Sequence, residues 1–316
     1  MKVFGPIPSR RLGRSLGINN IPHKVCSYSC IYCQVGRTSN KDIARKKYYE
    51  PEEIIRIVAD KLVALTGLNE KVDYISIVPD GEPTLDINLG YLIDLLKIFG
   101  IKVAVFTNSS LLWRTDVKAD LSNADLVSIK IDTVDKNIWY RINRPKSNLN
   151  MNLILNGIRD FVKQYNGKVI TETMLVKGIN DSKLSIERTA QFISKLKINK
   201  SYLAVPVRPP AEDRVKPVSV TTMDLALKTF GKNNINVENL TRDTATDFSH
   251  TDNFEQELLS ITSVHPMNKD AVVRLLEKAN LGWSVVSELV NQNKVIEVEY
   301  NGEKYYQRNF KYQYVV

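Results

Sequence analysis

Cysteine is scarce in this chain: the 316 residues contain three, all within eight positions, at Cys26, Cys30 and Cys33. An odd number of cysteines at such short spacing excludes a disulfide framework. Long apolar runs are also missing, which excludes a membrane-spanning helix. The first residues lack the apolar stretch of a secretory signal peptide. The scarce, unpaired cysteines predict a reducing, cytoplasmic environment. The missing apolar runs predict that the protein has no membrane partner.

The spacing of the three cysteines, C-x3-C-x2-C, predicts a shared metal site. Three thiolates on one short loop can hold three corners of a cubane [4Fe–4S] cluster and leave the fourth iron open to another molecule. A structural zinc site with His23 as fourth ligand is the alternative, although zinc ligands usually come as pairs separated by a longer loop. Inert buried cysteines would be scattered through the core. The preferred metal ligands are therefore Cys26, Cys30 and Cys33 of a cluster.

Acidic residues are rare at the N-terminal end, so the net charge of +9 is unevenly distributed. Residues 1–50 contain ten Lys and Arg against two acidic residues, whereas residues 246–316 contain seven against ten. The run from Gly5 to Gly17 includes Arg10, Arg11 and Arg14 just before the cysteines. A basic face attracts phosphate-rich partners, although many soluble proteins are as basic without binding nucleic acid. We expect the three arginines to contact an anionic substrate.

Buried strands and helix signals alternate along the first 245 residues, which predicts an α/β fold with a parallel sheet. The helices are signalled by caps, prolines and glycines at 51–67, 86–100, 150–167 and 181–197. Six strand–helix units of this kind predict an open, partial (β/α)6 barrel. The predicted strands are Val/Ile-rich runs: Ser15–Asn19, Val72–Val78, Ile101–Thr107, Leu126–Asp132, Lys168–Val176 and Ser201–Val207.

Residues 246–316 show a different pattern, which predicts a second, winged-helix-like domain. Three short amphipathic helices, at 254–264, 269–279 and 283–293, precede two strands that flank the turn Asn301-Gly302. The stretch Thr241–Thr251 is the predicted linker. A duplex-binding domain should be basic, but this region is acidic. Docking of a protein or substrate, or a lid, is therefore favoured over DNA binding.

Polar side chains follow the predicted strands at their carboxyl ends, where ligands of parallel sheets bind. The lysine in the strand Leu126–Asp132 needs a counter-charge or a solvent-filled interior, and an ion pair with Asp132 is the structural alternative. Arg208 lies between prolines and, with Arg141, is a candidate fork for an anionic substrate group. The other candidates are Gly81, Glu82, Pro83, Thr84, Asn108, Ser128, Lys130, Asp132 and Glu172.

The cysteine loop, with Tyr32 just before the third cysteine, resembles that of the radical S-adenosylmethionine (SAM) superfamily. With Gly81–Thr84 and Arg208–Glu212, the chain also looks like a group of Fe–S oxidoreductases related to the wyosine-base (tRNA) synthetases. This resemblance covers roughly residues 3–215 and is most specific at the cysteine loop. The run Gly81–Thr84 is similar to the superfamily motif whose backbone receives the SAM amino group, except that Pro79 replaces its first glycine. Three further cysteines hold a second cluster in archaeal wyosine-base synthetases. This chain has none, so their particular reaction is not expected here.

The resemblance also implies the fold and the roles of several residues. Radical SAM proteins share the partial barrel and bind SAM at the open iron of a [4Fe–4S] cluster. The implied SAM contacts are Lys130 to the carboxylate, Ser128 or Asp132 to a ribose hydroxyl, and Tyr32 near the adenine. Asn108 is expected to bind SAM or substrate, with a helix cap as its alternative role. Glu172 is expected at the ribose or the substrate.

The predicted activity is reductive cleavage of SAM to a 5′-deoxyadenosyl radical, which abstracts a hydrogen atom from a substrate. A flavodoxin- or ferredoxin-type protein would supply the electron. The charge distribution favours a tRNA or a nucleotide as substrate. A radical SAM activase or modifier of a partner protein is the alternative enzyme. The alternative of another class is a zinc-binding winged-helix regulator, which would leave the Gly81–Thr84 motif without a role.

Overall fold

A computed structural model describes residues 2–241 and 253–310. Eight strands form one sheet in chain order, with the first strand antiparallel to the second and the other neighbours parallel. The strands are β1 (Val3–Ser9), β2 (Gly13–Ile18), β3 (Tyr74–Ile77), β4 (Lys102–Thr107), β5 (Leu126–Lys130), β6 (Lys168–Met174), β7 (Lys200–Ala204) and β8 (Val237–Asn239). This order is that of a partial barrel, open between β1 and β8 in the described part of the chain, and it confirms the predicted fold class.

Helices follow every parallel strand from β2 to β7 and pack on the outer face of the sheet. They are α1 (Pro51–Gly67), α2 (Leu89–Lys97), α3 (Thr115–Leu121), α4 (Lys136–Ile142), α5 (Met151–Gln164), α6 (Lys183–Ile193) and α7 (Val220–Lys232). The sequence signals mark three of these starts correctly: Pro51 opens α1, and the side chains of Asn150 and Ser182 cap α5 and α6. The predicted helix 86–100 is shorter, because a 3-10 turn at Pro83–Leu85 precedes α2.

The sequence analysis did not predict two of the strands, β1 and β8, which lie at the edges of the sheet. Pro6 and Pro8 locally indicate a loop at residues 3–9, but an edge strand tolerates residues that donate no hydrogen bond. The β1–β2 hairpin shows a register shift between Phe4 and Ile7. β8 is only three residues long, too short to show a pattern. The six predicted strands all form, each with bounds within a few residues of the prediction.

The two faces of the sheet bury different side chains, as alternation requires. One face, with Val105, Val127 and Ile129, packs under the helices in the main core. The opposite, concave face carries a smaller cluster in which Leu12, from the β1–β2 turn, packs on the strand residues Ala104, Leu126, Ile170 and Tyr202. Since the β1–β2 turn lies beside the amino ends of the parallel strands, Leu12 closes that end of the barrel.

Residues 253–310, here called the C-terminal module, contain three helices and a three-stranded antiparallel sheet in the order β10-β11-β9. The elements are α8 (Phe254–Val264), β9 (Met267–Asn268), α9 (Lys269–Lys278), α10 (Ser284–Asn291), β10 (Val295–Tyr300) and β11 (Glu303–Arg308). Asn301 and Gly302 have φ of 52° and 79°, as a two-residue hairpin turn requires. The helices and hairpin agree with prediction, while the winged-helix assignment stays a prediction. The predicted boundary at 245/246 and most of the predicted linker lie outside the described residues.

The C-terminal module has its own apolar core, centred on Leu258, Val272 and Leu275. It also touches the barrel on the β1 side of the opening. Ile7 of β1 packs against the module's core, and Lys61 of α1 pairs with Glu257 at 2.7 Å. No helix among residues 2–241 and 253–310 is long and apolar enough to cross a membrane.

Candidate functional site

The three cysteines lie on the loop that follows β2, at the end of the barrel where the parallel strands have their carboxyl ends; we call this end the mouth. All three thiols are free and partly buried. The loop is fixed on the end of α4, since the N–H groups of Ser29 and Ile31 donate to the carbonyls of Asn143 and Ile142 at 3.0 Å each. The cysteine loop is therefore held by backbone contacts before any ligand binds.

Each cysteine sulfur lies within hydrogen-bond distance of a side-chain N–H donor, and the three donor residues come from different parts of the chain. Asn108 Nδ2, after β4, lies 3.5 Å from Cys26 Sγ, and Asn143 Nδ2, after α4, lies 3.4 Å from Cys30 Sγ. Lys24 Nζ lies 3.4 Å from Cys33 Sγ. Hydrogen bonds to cluster sulfurs stabilise the reduced cluster and help set its potential.

Burial disfavours the thiolate form at two of these cysteines. Desolvation raises the pKa of Cys26 to about 12, and it raises that of Cys30 to about 12. Buried thiols of this kind become ligands only when a cationic metal group supplies the compensating charge. Three thiols on one loop with three donors fit a cubane cluster. Among the described residues, no three His, Cys, Asp or Glu side chains are placed to share a single metal ion. A cubane cluster does not require this, because each thiolate holds a separate corner.

His23, the fourth ligand of the zinc alternative, is engaged elsewhere. Its Nδ1 lies 3.3 Å from Asp80 Oδ2, and its ring stacks on Phe310 with the centroids 3.4 Å apart. The histidine therefore serves the contact between the barrel and the C-terminal module.

The Gly81–Thr84 motif forms the turn after β3, and its side chains face inward. A Cβ on Gly81 would lie 2.0 Å from the Val25 carbonyl oxygen, so the glycine is required for the cysteine loop to pack there. Glu82 is fully buried and accepts hydrogen bonds from Thr84 Oγ1 and Thr107 Oγ1 at 2.6 Å and from Asn108 N at 2.7 Å. Burial raises its pKa, and these donors oppose that effect.

The side chains of the motif point into the protein. Glu82, Pro83 and Thr84 are buried and bind neighbouring loops, so their side chains do not line an open cofactor site. The backbone of the turn remains the predicted contact to SAM. Asn108 also differs from expectation, because its Nδ2 is directed to Cys26 Sγ and, at 3.0 Å, to Ser27 Oγ.

Lys130 and Glu172 meet on the concave face, directly opposite each other in the β5–β6 register. Lys130 Nζ donates to Glu172 Oε1 at 2.6 Å and lies 3.8 Å from Asp132 Oδ1. The lysine thus has the predicted counter-charge, and its nearer partner is Glu172 rather than Asp132, the partner in the structural alternative. Desolvation disfavours the charged lysine, but the two carboxylates outweigh it and raise the pKa of Lys130.

Arg11 reaches the same carboxylate from the other end of the barrel. Its Nη1 pairs with Glu172 Oε2, and its guanidinium lies 4.7 Å from the centroid of the Phe106 ring. Although burial of Glu172 acts to raise its pKa, Lys130 and Arg11 together lower that pKa to about 2. A charged triad of Arg11, Glu172 and Lys130 therefore occupies the concave interior.

Asp132, Tyr32 and Asn143 form a network beside Cys30. Asp132 Oδ2 accepts from Asn143 Nδ2 at 2.7 Å and from Tyr32 Oη, and its Oδ1 accepts from Met174 N at 2.8 Å. Burial, followed by the charge of Asp132, raises the pKa of Tyr32 well above its usual value. Ser128 is buried on the same face of β5 as Lys130, two residues earlier in the strand. Asp132 is thus committed to protein partners rather than open to a ribose hydroxyl.

The N-terminal arginines do not form the expected basic face beside the cysteines. Arg10 pairs with Glu238 of β8 at 3.0 Å, and the Arg14 N–H donates to Asp73 Oδ2 at 2.9 Å. Both lie at the amino ends of the parallel strands, opposite the mouth, because β1 runs antiparallel to β2 and its turn is at that end. The sequence showed proximity along the chain, but the strand β2 separates these residues from the cysteines in space.

Arg208 is at the mouth, as expected, and it contacts the C-terminal module. Its Nη2 lies 2.9 Å from His265 Nε2, and its Nη1 lies 3.5 Å from Gln34 Oε1. Desolvation lowers the pKa of Arg208 to about 10, and burial together with Arg208 lowers that of His265 well below its usual value. Arg141 is exposed on α4 and donates to the Gly178 carbonyl at 3.1 Å, away from Arg208.

More hydrogen bonds attach the C-terminal module to the mouth. Gln34 Nε2 donates to the Val264 carbonyl at 2.6 Å, close to the cysteine loop. Tyr300 Oη donates to the Pro206 carbonyl at 2.8 Å, and Tyr305 Oη donates to the Val207 carbonyl at 3.0 Å. The module thus covers the mouth from the cysteine loop to the segment after β7.

Sequence analysis missed Lys24, Gln34 and His265, and it did not connect Asn143 with the cysteines. No local pattern marks them: Lys24 contacts Cys33 nine positions away, and the contacts of the other three join segments distant in the chain. Asn143 and Cys30, for example, are 113 positions apart. Only Asn143 carries a sequence signal that could have been used, because it is a polar residue at the end of a helix.

Comparison with known proteins agrees with this architecture. The family model of the radical SAM superfamily matches residues 20–193. A UPF0026 protein of Methanocaldococcus jannaschii is 47% identical over 313 residues, which cover 98% of this chain and 96% of that protein. A probable GTP 3′,8-cyclase of Pyrococcus horikoshii is 27% identical over 168 residues, 51% of this chain and 47% of that protein.

A solved structure shows the same fold. It is a radical SAM methyltransferase from Sphaerobacter thermophilus, with a TM-score of 0.57 and 13% identity over 73% of this chain and 67% of that chain. The cofactors of the superfamily are a [4Fe–4S] cluster and SAM, and its members need a reductant. The chain is a UPF0026 member of the radical SAM superfamily and an enzyme of that class.

Proposed function

We propose that the enzyme cleaves SAM reductively at a cluster held by Cys26, Cys30 and Cys33 and removes a hydrogen atom from a small anionic substrate of the nucleotide class. The observation that carries the proposal is the set of cations on the concave side of the barrel. Arg11 and Lys130 share Glu172, while Arg208 lies at the mouth against the neutral His265. Cations at this position favour an anionic group.

The chain's residues suit the cluster in three ways. The cysteine loop is fixed on α4, each sulfur receives an N–H donor, and the network of Asp132, Tyr32 and Asn143 orients the donor to Cys30. When bound, the cluster and SAM supply the one-electron cleavage that yields the 5′-deoxyadenosyl radical. The protein positions the reacting groups and excludes water from them.

Two features support a place for SAM next to the cysteines. The turn at Gly81 brings its backbone against Val25, one residue before Cys26. Lys130 Nζ lies 5.1 Å from the centroid of the Tyr32 ring, and both side chains are close to Asp132. We propose that Lys130 holds the SAM carboxylate and Tyr32 lies near the adenine. Glu172 is oriented by Lys130 and Arg11 and remains the proposed ribose or substrate contact.

A nucleotide is favoured over tRNA for reasons of access and charge. The C-terminal module contacts the mouth through Gln34, Arg208 and the segment 206–207, which leaves little room for a folded RNA. Arg10 and Arg14, which suggested a nucleic-acid face, lie at the opposite end of the barrel. The relative in Pyrococcus horikoshii is named for a reaction of GTP, which is consistent with a nucleotide substrate.

The proposal is tested with anaerobically reconstituted enzyme, SAM and an uncharged reductant, by measuring 5′-deoxyadenosine. Nucleotides and total tRNA are added separately, and the hydrogen source is traced in deuterated solvent with protiated substrate. We expect nucleotide-dependent 5′-deoxyadenosine that is abolished in Cys30→Ala. We expect Arg208→Lys, which keeps the charge but loses the fork, to raise KM more than it lowers kcat.

Other outcomes would contradict specific parts of the proposal. A colourless protein that binds zinc but no iron and leaves SAM intact would reject the cluster. Stimulation by tRNA and not by any nucleotide would reject the substrate class. Stimulation by a partner polypeptide alone would favour a protein-modifying enzyme instead.

A further inference from the structure

Three arginines surround one nearly buried carboxylate near the cysteine loop, and we call this set the arginine patch (Arg37, Arg144, Arg214 and Glu212). Glu212 is 5% exposed. Arg214 Nε lies 2.8 Å and Arg37 Nη2 3.4 Å from its carboxylate oxygens, and Arg144 Nη1 forms a third ion pair. The carboxylate fixes the three guanidinium groups in one place, and three positive charges against one negative charge leave the patch cationic.

The arginines of the patch remain available to a partner at the surface. Their side chains are 67% exposed for Arg37, 61% for Arg214 and 36% for Arg144. Lys41 Nζ lies 3.0 Å from the Arg144 carbonyl oxygen and adds a further positive charge beside the patch. Clustered surface charge of one sign steers partners of the opposite sign and raises the rate of encounter.

Two short connections join the patch to the cysteines. Arg144 directly follows Asn143, whose Nδ2 lies 3.4 Å from Cys30 Sγ. Arg37 directly follows Gly36, whose N–H donates to the Cys33 carbonyl at 3.1 Å. A protein bound to the patch would therefore lie next to the part of the cysteine loop that contains Cys30 and Cys33.

We infer that the arginine patch is the docking surface for an acidic electron-transfer protein of the flavodoxin class. The inference rests on the proposed function in one respect, namely that the cysteines hold the cluster. One electron leaves the reduced flavin and enters the oxidised cluster, and no bond is made or broken. Complexes of this kind use small, transient interfaces, for which a compact charged patch is sufficient.

A nucleic acid is the less favourable occupant. Duplexes and folded RNAs are bound through many phosphate contacts along an extended basic stripe. The patch is instead compact, organised around a single carboxylate, and adjacent to the cysteine loop. Its position matches the requirement of electron transfer, which needs the two redox groups close to the contact surface.

The test measures cluster reduction by stopped-flow absorbance in fully reconstituted enzyme, with flavodoxin hydroquinone as the probe. We expect the charge reversals Arg37→Glu and Arg214→Glu together to lower the second-order rate constant at least tenfold at low ionic strength. Added salt should slow the wild type strongly and the double variant little. Arg56→Glu, an exposed position on α1, is the matched control and should keep the wild-type rate.

Reduction by photoreduced 5-deazariboflavin, which is uncharged, separates docking from damage to the cluster. The double variant should keep its iron content, its EPR spectrum and its rate with this reductant. An unchanged flavodoxin rate, or equal slowing with both reductants, would overturn the inference. Loss of tRNA binding with an unchanged flavodoxin rate would assign the patch to nucleic acid instead. If the wild type bound no iron at all, the proposed function would fail before the docking surface was tested.

Discussion

Asn143 Nδ2 lies 3.4 Å from Cys30 Sγ, although the two residues are 113 positions apart in the chain. The same Nδ2 lies 2.7 Å from Asp132 Oδ2, so the carboxylate orients the amide that serves the sulfur. Neutral N–H donors to a cluster sulfur stabilise the reduced state, in which the sulfurs carry more negative charge. This amide links the polar network at the end of β5 to the cysteine loop.

The first prediction concerns the reduction potential of the cluster in Asn143→Leu. Losing one hydrogen bond with a net value of about 1 kcal/mol corresponds to a fall of about 40 mV for a one-electron couple. An EPR-monitored redox titration of the reconstituted protein measures it. Asn123→Leu, which removes an exposed amide that contacts Asp94, is the control and should leave the potential unchanged. An unaltered potential in a fully loaded Asn143→Leu would show that the amide only supports the loop.

The second prediction concerns Gly81, where a Cβ would lie 2.0 Å from the Val25 carbonyl oxygen. The position of a Cβ is fixed by the backbone, and the Val25 carbonyl is itself a backbone group, so neither can rotate away. Gly81→Ala must therefore shift the start of the cysteine loop. We expect a loss of several kcal/mol of stability, on the order of the larger single-substitution effects, and less than half of the wild-type iron after reconstitution. Gly67→Ala is the matched control, because no atom lies within 4 Å of its added Cβ. Equal iron content in the two variants would contradict the packing argument.

The third prediction concerns pH and the buried carboxylate of Glu172. Lys130 and Arg11 outweigh its desolvation and lower its pKa to about 2 from the usual 4.5. A carboxylate with a depressed folded-state pKa adds stability above its unfolded pKa, and that stability is lost as the pH falls from about 4.5 toward about 2. The shift is worth about 3 kcal/mol. Urea unfolding of wild type and Glu172→Gln between pH 7 and pH 3 measures it.

In Glu172→Gln the acid-dependent loss should be smaller, because the titrating group is gone. At pH 7 this variant should be less stable than the wild type, since Arg11 and Lys130 then share the interior without their common carboxylate. Glu187→Gln, at a more exposed carboxylate on α6, controls for the general effect of acid. Parallel pH profiles of wild type and Glu172→Gln would contradict the pKa argument.

The fourth prediction concerns attachment of the C-terminal module to the mouth. The double variant Tyr300→Phe, Tyr305→Phe removes the hydroxyls that donate to the Pro206 and Val207 carbonyls. Loss of two hydrogen bonds, each with a net value of about 1 kcal/mol, should raise the opening rate of the module by roughly thirtyfold. Hydrogen–deuterium exchange in α8, compared with the barrel helices, is the measurement. Tyr140→Phe, at a side chain 41% exposed on α4, is the control.

The barrel itself could be read from the sequence because its signals are local. Runs such as Leu126–Asp132 are apolar on the face toward the helices, and caps such as Asn150 and Ser182 hydrogen-bond within their own first turn. The cysteine spacing is equally local, since all three thiols lie on one loop. The edge strand β1 was missed for the opposite reason. Its pairing depends on β2 and its packing on α8, while its prolines locally indicate a loop.

The arrangement around the cysteines was decided by tertiary structure alone. Sequence placed Arg10 and Arg14 next to the cysteines, but the direction of β2 carries them to the opposite end of the barrel. Tertiary structure also gives Glu82 its hydrogen-bond partners, because a buried carboxylate must satisfy its oxygens from adjacent loops, and it directs the Asn108 amide to Cys26.

The sequence by itself determined the chemistry: three thiols on one loop, an α/β barrel and the polar residues at its strand ends. Only the tertiary structure decided which side chains share a site, because the partners of Cys26, Cys30, Glu172 and Arg208 come from segments distant in the chain. Short-range patterns record local backbone preferences. Long-range pairing of buried polar groups is fixed by the strand order and by the need of each buried charge for a partner.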